Sequence, residues 1–176
     1  MQHALGFSCR NRGMTLVEAL VALVVLSVGM LGIAGLMLTG ISSNRSALYR
    51  TQAVNLASDM AERIRANASA RVAYDSLAYG GAPALRDCAP TANGAGGNCT
   101  AALLAEDDLA RWMASIRTAL PAFRGEPAQG DVQVIPAGFA GQPDTYRINV
   151  SWQEPREPTP FSYQTDLILL PRPVIN

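Results

Sequence analysis

The strongest constraint on this chain is an apolar run from Ala19 to Leu38, twenty residues without a charge. As a helix that rises 1.5 Å per residue, the run would be about 30 Å long, the thickness of a bilayer core. Glu18 stands at the front of this run, where an ionisable side chain is costly and needs a specific partner. The run therefore predicts a transmembrane helix whose first turn carries a functional carboxylate.

A candidate partner for Glu18 lies four residues earlier in the chain. If the chain is cleaved after Gly13, Met14 acquires a free α-ammonium group that can neutralise the carboxylate of Glu18. We expect this charge pair to form within one chain or between neighbouring chains.

The segment from Gly13 to Glu18, followed by an unbroken apolar helix, resembles the processing site of the type IV pilin family. In that family a membrane peptidase cuts after the glycine and methylates the new N-terminus. The resemblance implies cleavage of the Gly13–Met14 bond, N-methylation of Met14 and a role for Glu18 in filament assembly. Met14 departs from the phenylalanine usual in major pilins and fits a minor pilin better.

Other membrane-targeting signals explain the segment less well. A secretory signal has an apolar region of about 7–15 residues, is removed after that region and avoids a carboxylate at its start. No cysteine follows the run closely, as a lipoprotein signal requires. A plain single-span anchor remains an alternative, but it gives Gly13 and Glu18 no role.

The expected organisation is a prepilin leader over 1–13, a transmembrane and assembly helix over 14–40 and a periplasmic pilin-like head over 41–176. Arginines do not fix the topology, because Arg10 and Arg12 on one side balance Arg45 and Arg50 on the other. The resemblance implies a cytoplasmic leader and a single pass through the inner membrane before assembly into a surface pilus. Gly29–Gly35 is a candidate for the region where the helix loosens in the filament, although ordinary packing glycines are an equal alternative.

Composition argues against catalysis and against nucleic acid. The formal net charge is zero, so bulk electrostatics gives no reason to expect a nucleic-acid partner. All fourteen basic residues are Arg, and the single histidine is His3 in the expected leader. The mature chain would lack the commonest general base and the Schiff-base lysine. We therefore expect no enzyme activity, no cofactor and no metal; a membrane-anchored periplasmic enzyme is the rival from another class.

The cysteines predict one disulfide. Cys9 falls in the expected leader, and Cys88 and Cys99 remain in the exported part. In an oxidising compartment these two predict a bridge that closes a short loop, with a pair of buried thiols as the alternative. Closing such a loop stabilises a fold by about 2–3 kcal/mol in the chain-entropy treatment.

Two helices are expected in the head. From Ile41 to about Ala73 an apolar stripe keeps helical spacing, which predicts that the long helix continues and lays this stripe on a core. Its members are Ala53, Leu56, Ala57, Met60, Ala61 and Ile64. A second helix is predicted over Glu106–Leu120, with Pro121 as its stop. The acidic residues Glu106, Asp107 and Asp108 suit its first turn as capping and dipole partners, with a calcium site as the alternative.

The last third of the chain predicts β-structure. Val132 and Val134 alternate with polar residues, Tyr146–Trp152 forms a clean alternating strand, and Phe161–Leu169 forms another. One-face alternation indicates an antiparallel sheet with one buried side, which the two helices would cover. The predicted fold class is α+β, a long N-terminal transmembrane helix that extends into a pilin-like head with a small antiparallel sheet.

The narrower resemblance is to minor pilins of the PilV type, the pilus modification proteins. It is carried by Leu20–Leu36, Leu56–Asn67 and Asp108–Trp112. It implies a structural subunit that helps start pilus assembly at the tip and supports adhesion and twitching motility. The implied partners are the prepilin peptidase, other minor pilins, the major pilin, a tip adhesin and the inner-membrane assembly platform. A minor pseudopilin of a type II secretion or DNA-uptake system is the alternative. Gly125–Gly130 and Pro136–Pro143 are candidate contact loops, with ordinary surface exposure as the alternative.

Overall fold

A computed structural model describes residues 15–88, 98–122, 125–139, 142–154 and 157–170. The chain divides into two compact units, Met1–Asn44 and Arg45–Asn176. The first unit contributes the beginning of one helix. The second unit, called the head below, contains the rest of that helix, a second helix and a sheet.

The first helix, α1, is 51 residues long and covers Leu16–Ala66. It ends about seven residues before the predicted end near Ala73, because Asn67 leaves helical geometry at φ −114° and ψ 45°. Its side-chain amide donates to the carbonyl of Ala101, 2.8 Å away. Two short 3-10 helices follow at Ala68–Tyr74 and Ser76–Tyr79, so the chain turns there instead of extending the α-helix.

The second helix, α2, covers Ala101–Ala119 and begins five residues before its predicted start. Thr100 is its N-cap, and the Thr100 hydroxyl accepts a hydrogen bond from the Leu103 N–H at 3.3 Å. Glu106, Asp107 and Asp108 therefore lie beyond the first turn. Their predicted role as partners of the first turn of the helix is wrong.

Three strands form an antiparallel meander: β1 (Gln129–Ile135), β2 (Asp144–Trp152) and β3 (Phe161–Leu169). Their order is β1-β2-β3, with Val132 opposite Ile148 and Ile148 opposite Thr165. The predicted alternation is confirmed, since every second residue of β2 is buried. The α+β class with a small antiparallel sheet is confirmed as well.

The core of the head lies between the inner face of the sheet and the two helices. The stripe predicted on α1 is confirmed, with Leu56 only partly buried. The Trp112 indole on α2 donates to the Leu56 carbonyl at 2.8 Å, which ties the two helices together. Gly130 faces the same tryptophan so closely that a Cβ there would lie 2.6 Å from the ring. Gly130 therefore belongs to β1 and the core, and its assignment to a contact loop is wrong.

The head part of α1 runs along β2. Ser46 donates to Glu154, just beyond the end of β2, at 3.1 Å. Arg71, after the end of α1, binds Asp144 at the start of β2. Residues 46–66 of a helix and the nine residues of β2 are each about 30 Å long, so the helix can span the strand from end to end.

Candidate processing and assembly site

The start of α1 carries a side-chain cap. The Glu18 N–H donates to the Thr15 hydroxyl at 3.3 Å, and the Ala19 N–H donates to the Thr15 carbonyl at 3.2 Å. The first bond satisfies an amide group that the first turn of a helix leaves without a partner, and the second is the first regular backbone bond of the helix. Sequence reasoning missed Thr15, although Thr-x-x-Glu before an apolar run is a recognised helix-start pattern that could have found it.

Glu18 is exposed in the first turn of this helix. The positive end of the helix dipole favours a carboxylate at that position. Among residues 15–44, no side chain or backbone N–H donates to the Glu18 carboxylate. The structure thus presents a carboxylate at the end of an apolar helix. Gly13 and Met14, the predicted cleavage and methylation residues, lie outside the described residues.

The helix that follows Glu18 is apolar on all sides. Leu16, Leu31 and Leu36 are each at least 73% exposed in the single chain. Within the described part of the chain, α1 is the one helix whose length and composition fit a membrane span. A bilayer or the helices of other subunits can cover such a surface.

Hydroxyl groups in this segment are satisfied inside the helix. Ser27 donates to the Leu23 carbonyl at 2.7 Å, and Thr39 donates to the Gly35 carbonyl at 3.2 Å. In hydrocarbon an unsatisfied hydroxyl is costly, so these back-bonds fit the segment to an apolar environment. Glu18 therefore stands out as the charged group of this segment.

The head carries the predicted disulfide between Cys88 and Cys99, whose Cα atoms are 5.7 Å apart. Residues 89–97, between them, lie outside the described residues. Cys88 is buried and Cys99, just before the Thr100 cap of α2, is partly exposed. The bridge joins the end of the segment 84–88 to the start of α2.

Two acidic residues of α2 hold the segment that leads into the disulfide. Asp107 accepts from the backbone N–H groups of Arg86 and Asp87 at 2.8 and 3.2 Å. Glu106 accepts from the Ala84 N–H at 3.1 Å and from the Arg86 guanidinium at 2.7 and 3.1 Å. The carboxylates thus replace the strand or helix partners that these backbone groups lack.

Charge assistance shifts the titration of both carboxyl groups. Hydrogen bonds from Arg86 and from the Ala84 N–H lower the pKa of Glu106 below its ordinary value. Burial alone would raise the pKa of Asp107, but hydrogen bonds from Arg111 and the Arg86 N–H outweigh burial and lower it. Both groups are therefore ionised acceptors at neutral pH.

Asp108, the third of these acidic residues of α2, also binds partners within the head. Asp108 accepts from the Tyr74 hydroxyl at 2.8 Å and pairs with Arg63 at 3.0 Å. Burial and the neighbouring Asp108 raise the pKa of Tyr74, so its hydroxyl stays protonated as a donor. In the described ranges, no group of three or more His, Cys, Asp and Glu side chains is arranged to hold a metal ion.

Two family models match the chain. Residues 35–110 match the model described as Tt1218-like, type IV pilin Tt1218. Residues 8–34 match the prokaryotic N-terminal methylation motif, which contains Gly13, Met14 and Glu18. No curated protein and no solved structure matches. The two matches adjoin each other and together support the type IV pilin family.

Proposed function

We propose that this chain, supported as a type IV pilin by two adjoining family matches, is a minor pilin of the PilV type. It is a structural, non-enzymatic subunit that helps start pilus assembly and forms part of the tip complex. Adhesion and twitching motility depend on it through that complex. The observation that carries the proposal is the exposed Glu18 at the front of an apolar helix, inside the matched methylation motif.

The mechanism starts with storage in the inner membrane. The apolar half of α1 holds the precursor in the bilayer, with the leader in the cytoplasm and the head in the periplasm. The prepilin peptidase hydrolyses the Gly13–Met14 bond and methylates the Met14 amine. The leader, residues 1–13, leaves with its charges, and the new ammonium group stands close to Glu18.

The new charge pair then drives assembly. A lone carboxylate at the membrane is costly, and pairing with an ammonium group removes much of that cost. When the ammonium group belongs to a neighbouring subunit, the pair forms only in register within a bundle of helices. We infer that Glu18 draws the subunit from the assembly platform into a filament with other minor pilins, the major pilin and a tip adhesin.

The intact mass of the chain purified from sheared surface filaments tests this proposal. We expect a mass that begins at Met14 with one added methyl group and is two hydrogens below that of the reduced form. A chain with residues 1–13 still attached, or one absent from the sheared fraction, would overturn the proposal.

Two variants separate processing from assembly. Gly13→Leu is expected to leave the precursor uncut in the membrane fraction. Glu18→Gln keeps the shape of the side chain and removes its charge, so it is expected to be cut normally and yet to enter filaments poorly. If Gly13→Leu still gives a processed, assembled subunit, the assigned cleavage bond is wrong.

A further inference from the structure

The two edges of the sheet differ in how their backbone groups are satisfied. On β1, the Val132 N–H donates to the Ser76 hydroxyl at 2.8 Å, and that hydroxyl lies 3.1 Å from the Val132 carbonyl. The Val134 N–H donates to Asp75 at 3.4 Å. Ser76, in the second 3-10 helix, and Asp75, just before it, therefore cover this edge.

The edge at β3 is open. In the part of the chain that the structure describes, no hydrogen bond other than those to β2 reaches the backbone of Phe161–Leu169. An antiparallel edge strand directs every second pair of N–H and C=O groups away from its neighbour. Along the nine residues of β3, alternate residues thus direct strand-pairing groups outward, and within the described residues these groups have no backbone or side-chain partner.

This edge lacks the usual protection against pairing. Natural edge strands carry lysine, proline, a bulge or an unpaired charge that blocks a further strand. The sequence of β3 has neither lysine nor proline, and its register with β2 is unbroken. Its one charged residue, Asp166, is paired with Arg147 at 3.2 Å. No residue of β3 therefore prevents a further strand from pairing with it.

The inner face of β3 is only half covered. Phe161, Tyr163 and Thr165 are partly exposed, whereas β2 buries its whole inner face. A groove of about 270 Å³ opens beside them. Its lining consists of Arg50, Val54, Trp152, Phe161, Ser162 and Tyr163. The apolar inner face of β3 is thus fully covered at Leu167 and only partly covered at Phe161 and Tyr163.

The groove also contains a cation, Arg50, that pairs with no carboxylate among the described residues. The Arg50 guanidinium carbon lies 5.0 Å from the centroid of the Phe161 ring. Across the described residues, every recorded ion pair involves other arginines. An incoming segment with one carboxylate would complement this site.

We propose that β3 accepts a fourth strand from a sister pilin in the filament. The donated segment is extended, alternates apolar and polar residues, and carries a carboxylate at the end that meets Arg50. Main-chain hydrogen bonds would hold the segment, and the groove would take its apolar side chains. This inference rests on the proposed function, because it names a surface that the assembled subunit uses.

A second copy of this chain fits the edge poorly. An antiparallel pair of identical β3 strands is related by a two-fold axis perpendicular to the sheet, which reverses directions along the strands. The chain enters the head at residue 45 and meets the Glu154 end of β2 first. In this pairing the two Glu154 ends lie at opposite ends of the joined sheet, so the two chains would enter their heads from opposite ends.

Photo-crosslinking in cells that assemble pili tests the partner directly. A benzoylphenylalanine is placed at Gln164, which is exposed on the outer face of β3, and at Gln133, its matched control on β1. We expect an adduct at 164 with a protein that has a cleaved and methylated N-terminus, about tenfold above that at 133. Peptide mapping should place the link in an extended segment of that protein.

The remaining outcomes overturn the proposal. Equal yields at 164 and 133 would show that the edge has no special neighbour. An adduct with a second copy of this chain would identify a homotypic contact. A link within the chain to residues 171–176 would mean that the chain covers its own edge.

Matched variants provide a second readout. Gln164→Lys adds an edge charge to β3, and Gln133→Lys makes the same change on β1. Similarly, Arg50→Glu inverts the groove charge, with Arg45→Glu as its control. We expect Gln164→Lys and Arg50→Glu to lower incorporation into sheared pili about tenfold, with unchanged melting temperatures. Wild-type incorporation of both variants would overturn the proposal.

Failure of the inference can be distinguished from failure of the proposed function. If the wild-type chain is cut after Gly13 and assembled, but Gln164→Lys and Arg50→Glu behave like their controls, only the strand proposal is wrong. If the wild-type chain is neither cut nor found in pili, the proposed function itself fails.

Discussion

Arg71 donates two hydrogen bonds to Asp144, Nε to Oδ2 at 2.8 Å and Nη2 to Oδ1 at 2.9 Å. The pair joins the turn after α1 to the start of β2. Asp144 is buried and also accepts from the Ala137 N–H at 3.0 Å. Arg71 itself has a positive φ of 44° with ψ −112°, a conformation that side chains other than glycine rarely adopt. We infer that this ion pair helps to hold a strained turn.

Two substitutions at Arg71 separate the stability that the ion pair contributes from the cost of the backbone strain. Arg71→Ala removes the guanidinium and keeps a Cβ in the strained conformation, whereas Arg71→Gly removes both. We expect both variants to melt below the wild type, and Arg71→Gly to melt a few degrees above Arg71→Ala. Thermal unfolding followed by tryptophan fluorescence measures the order. The opposite order would show that backbone strain at residue 71 is not significant.

The close packing around Gly130 predicts that one added methyl group destabilises the head. A Cβ at this position would lie 2.3 Å from Cδ1 of Ile116 and 2.6 Å from the Trp112 ring. Gly130→Ala should therefore lower the free energy of unfolding by about 1–3 kcal/mol through overpacking. Gly138→Ala is the matched control, because nothing lies within 4 Å of its added carbon. Equal urea midpoints for the two variants would contradict the packing described for β1.

Local sequence signals predicted the regular elements well. The stripe on α1 and the alternation in β2 each repeat with the period of their own secondary structure, so a short window carries the information. Glu18 is singled out by the same kind of signal, a charge at the front of an apolar run, and its role in assembly stays a prediction. Thr15 was within reach of the same reasoning through its spacing to Glu18.

The parts that sequence reasoning misplaced depend on contacts between distant residues. Asn67 ends α1 while its side chain binds Ala101, 34 positions away. Glu106 and Asp107 have the composition of a helix start, yet they bind the returning segment 84–87. Gly130 follows loop-like residues but touches Trp112. A local sequence pattern does not show which distant segment contacts these positions.

Removal of the disulfide should weaken the head without abolishing its fold. The double variant Cys88→Ser, Cys99→Ser loses the cross-link, which stabilises a loop of this length by about 2–3 kcal/mol. The segment 84–87 remains bound to Glu106 and Asp107, so cooperative unfolding should persist at a lower urea midpoint. Reduction of the wild type with dithiothreitol is the control and should give the same midpoint. A wild-type midpoint that does not change on reduction would contradict a stabilising bridge.

Acid should destabilise the head through its charge-paired carboxylates. Arg71 lowers the pKa of Asp144, Arg86 lowers that of Glu106, and Arg111 contributes to lowering that of Asp107. A group whose pKa is depressed by folding contributes stability above its unfolded pKa, about 4, and loses it as pH falls through the folded pKa. The urea midpoint of the full chain in detergent should thus be level from about pH 7 to 5 and fall below pH 4.

The variant Asp107→Asn isolates one contribution to this pH dependence. The asparagine lacks the negative charge that strengthens the hydrogen bonds from residues 86, 87 and 111, so the variant should be less stable than the wild type at pH 7. Because asparagine does not ionise, the variant should also lose less stability between pH 5 and 3. Asp166→Asn is the matched control at a more exposed pair, where a salt bridge contributes little. If Asp107→Asn loses as much stability in acid as the wild type, Asp107 does not hold the segment 84–87 as an ionised acceptor. The acid sensitivity would then have to come from Glu106 and Asp144.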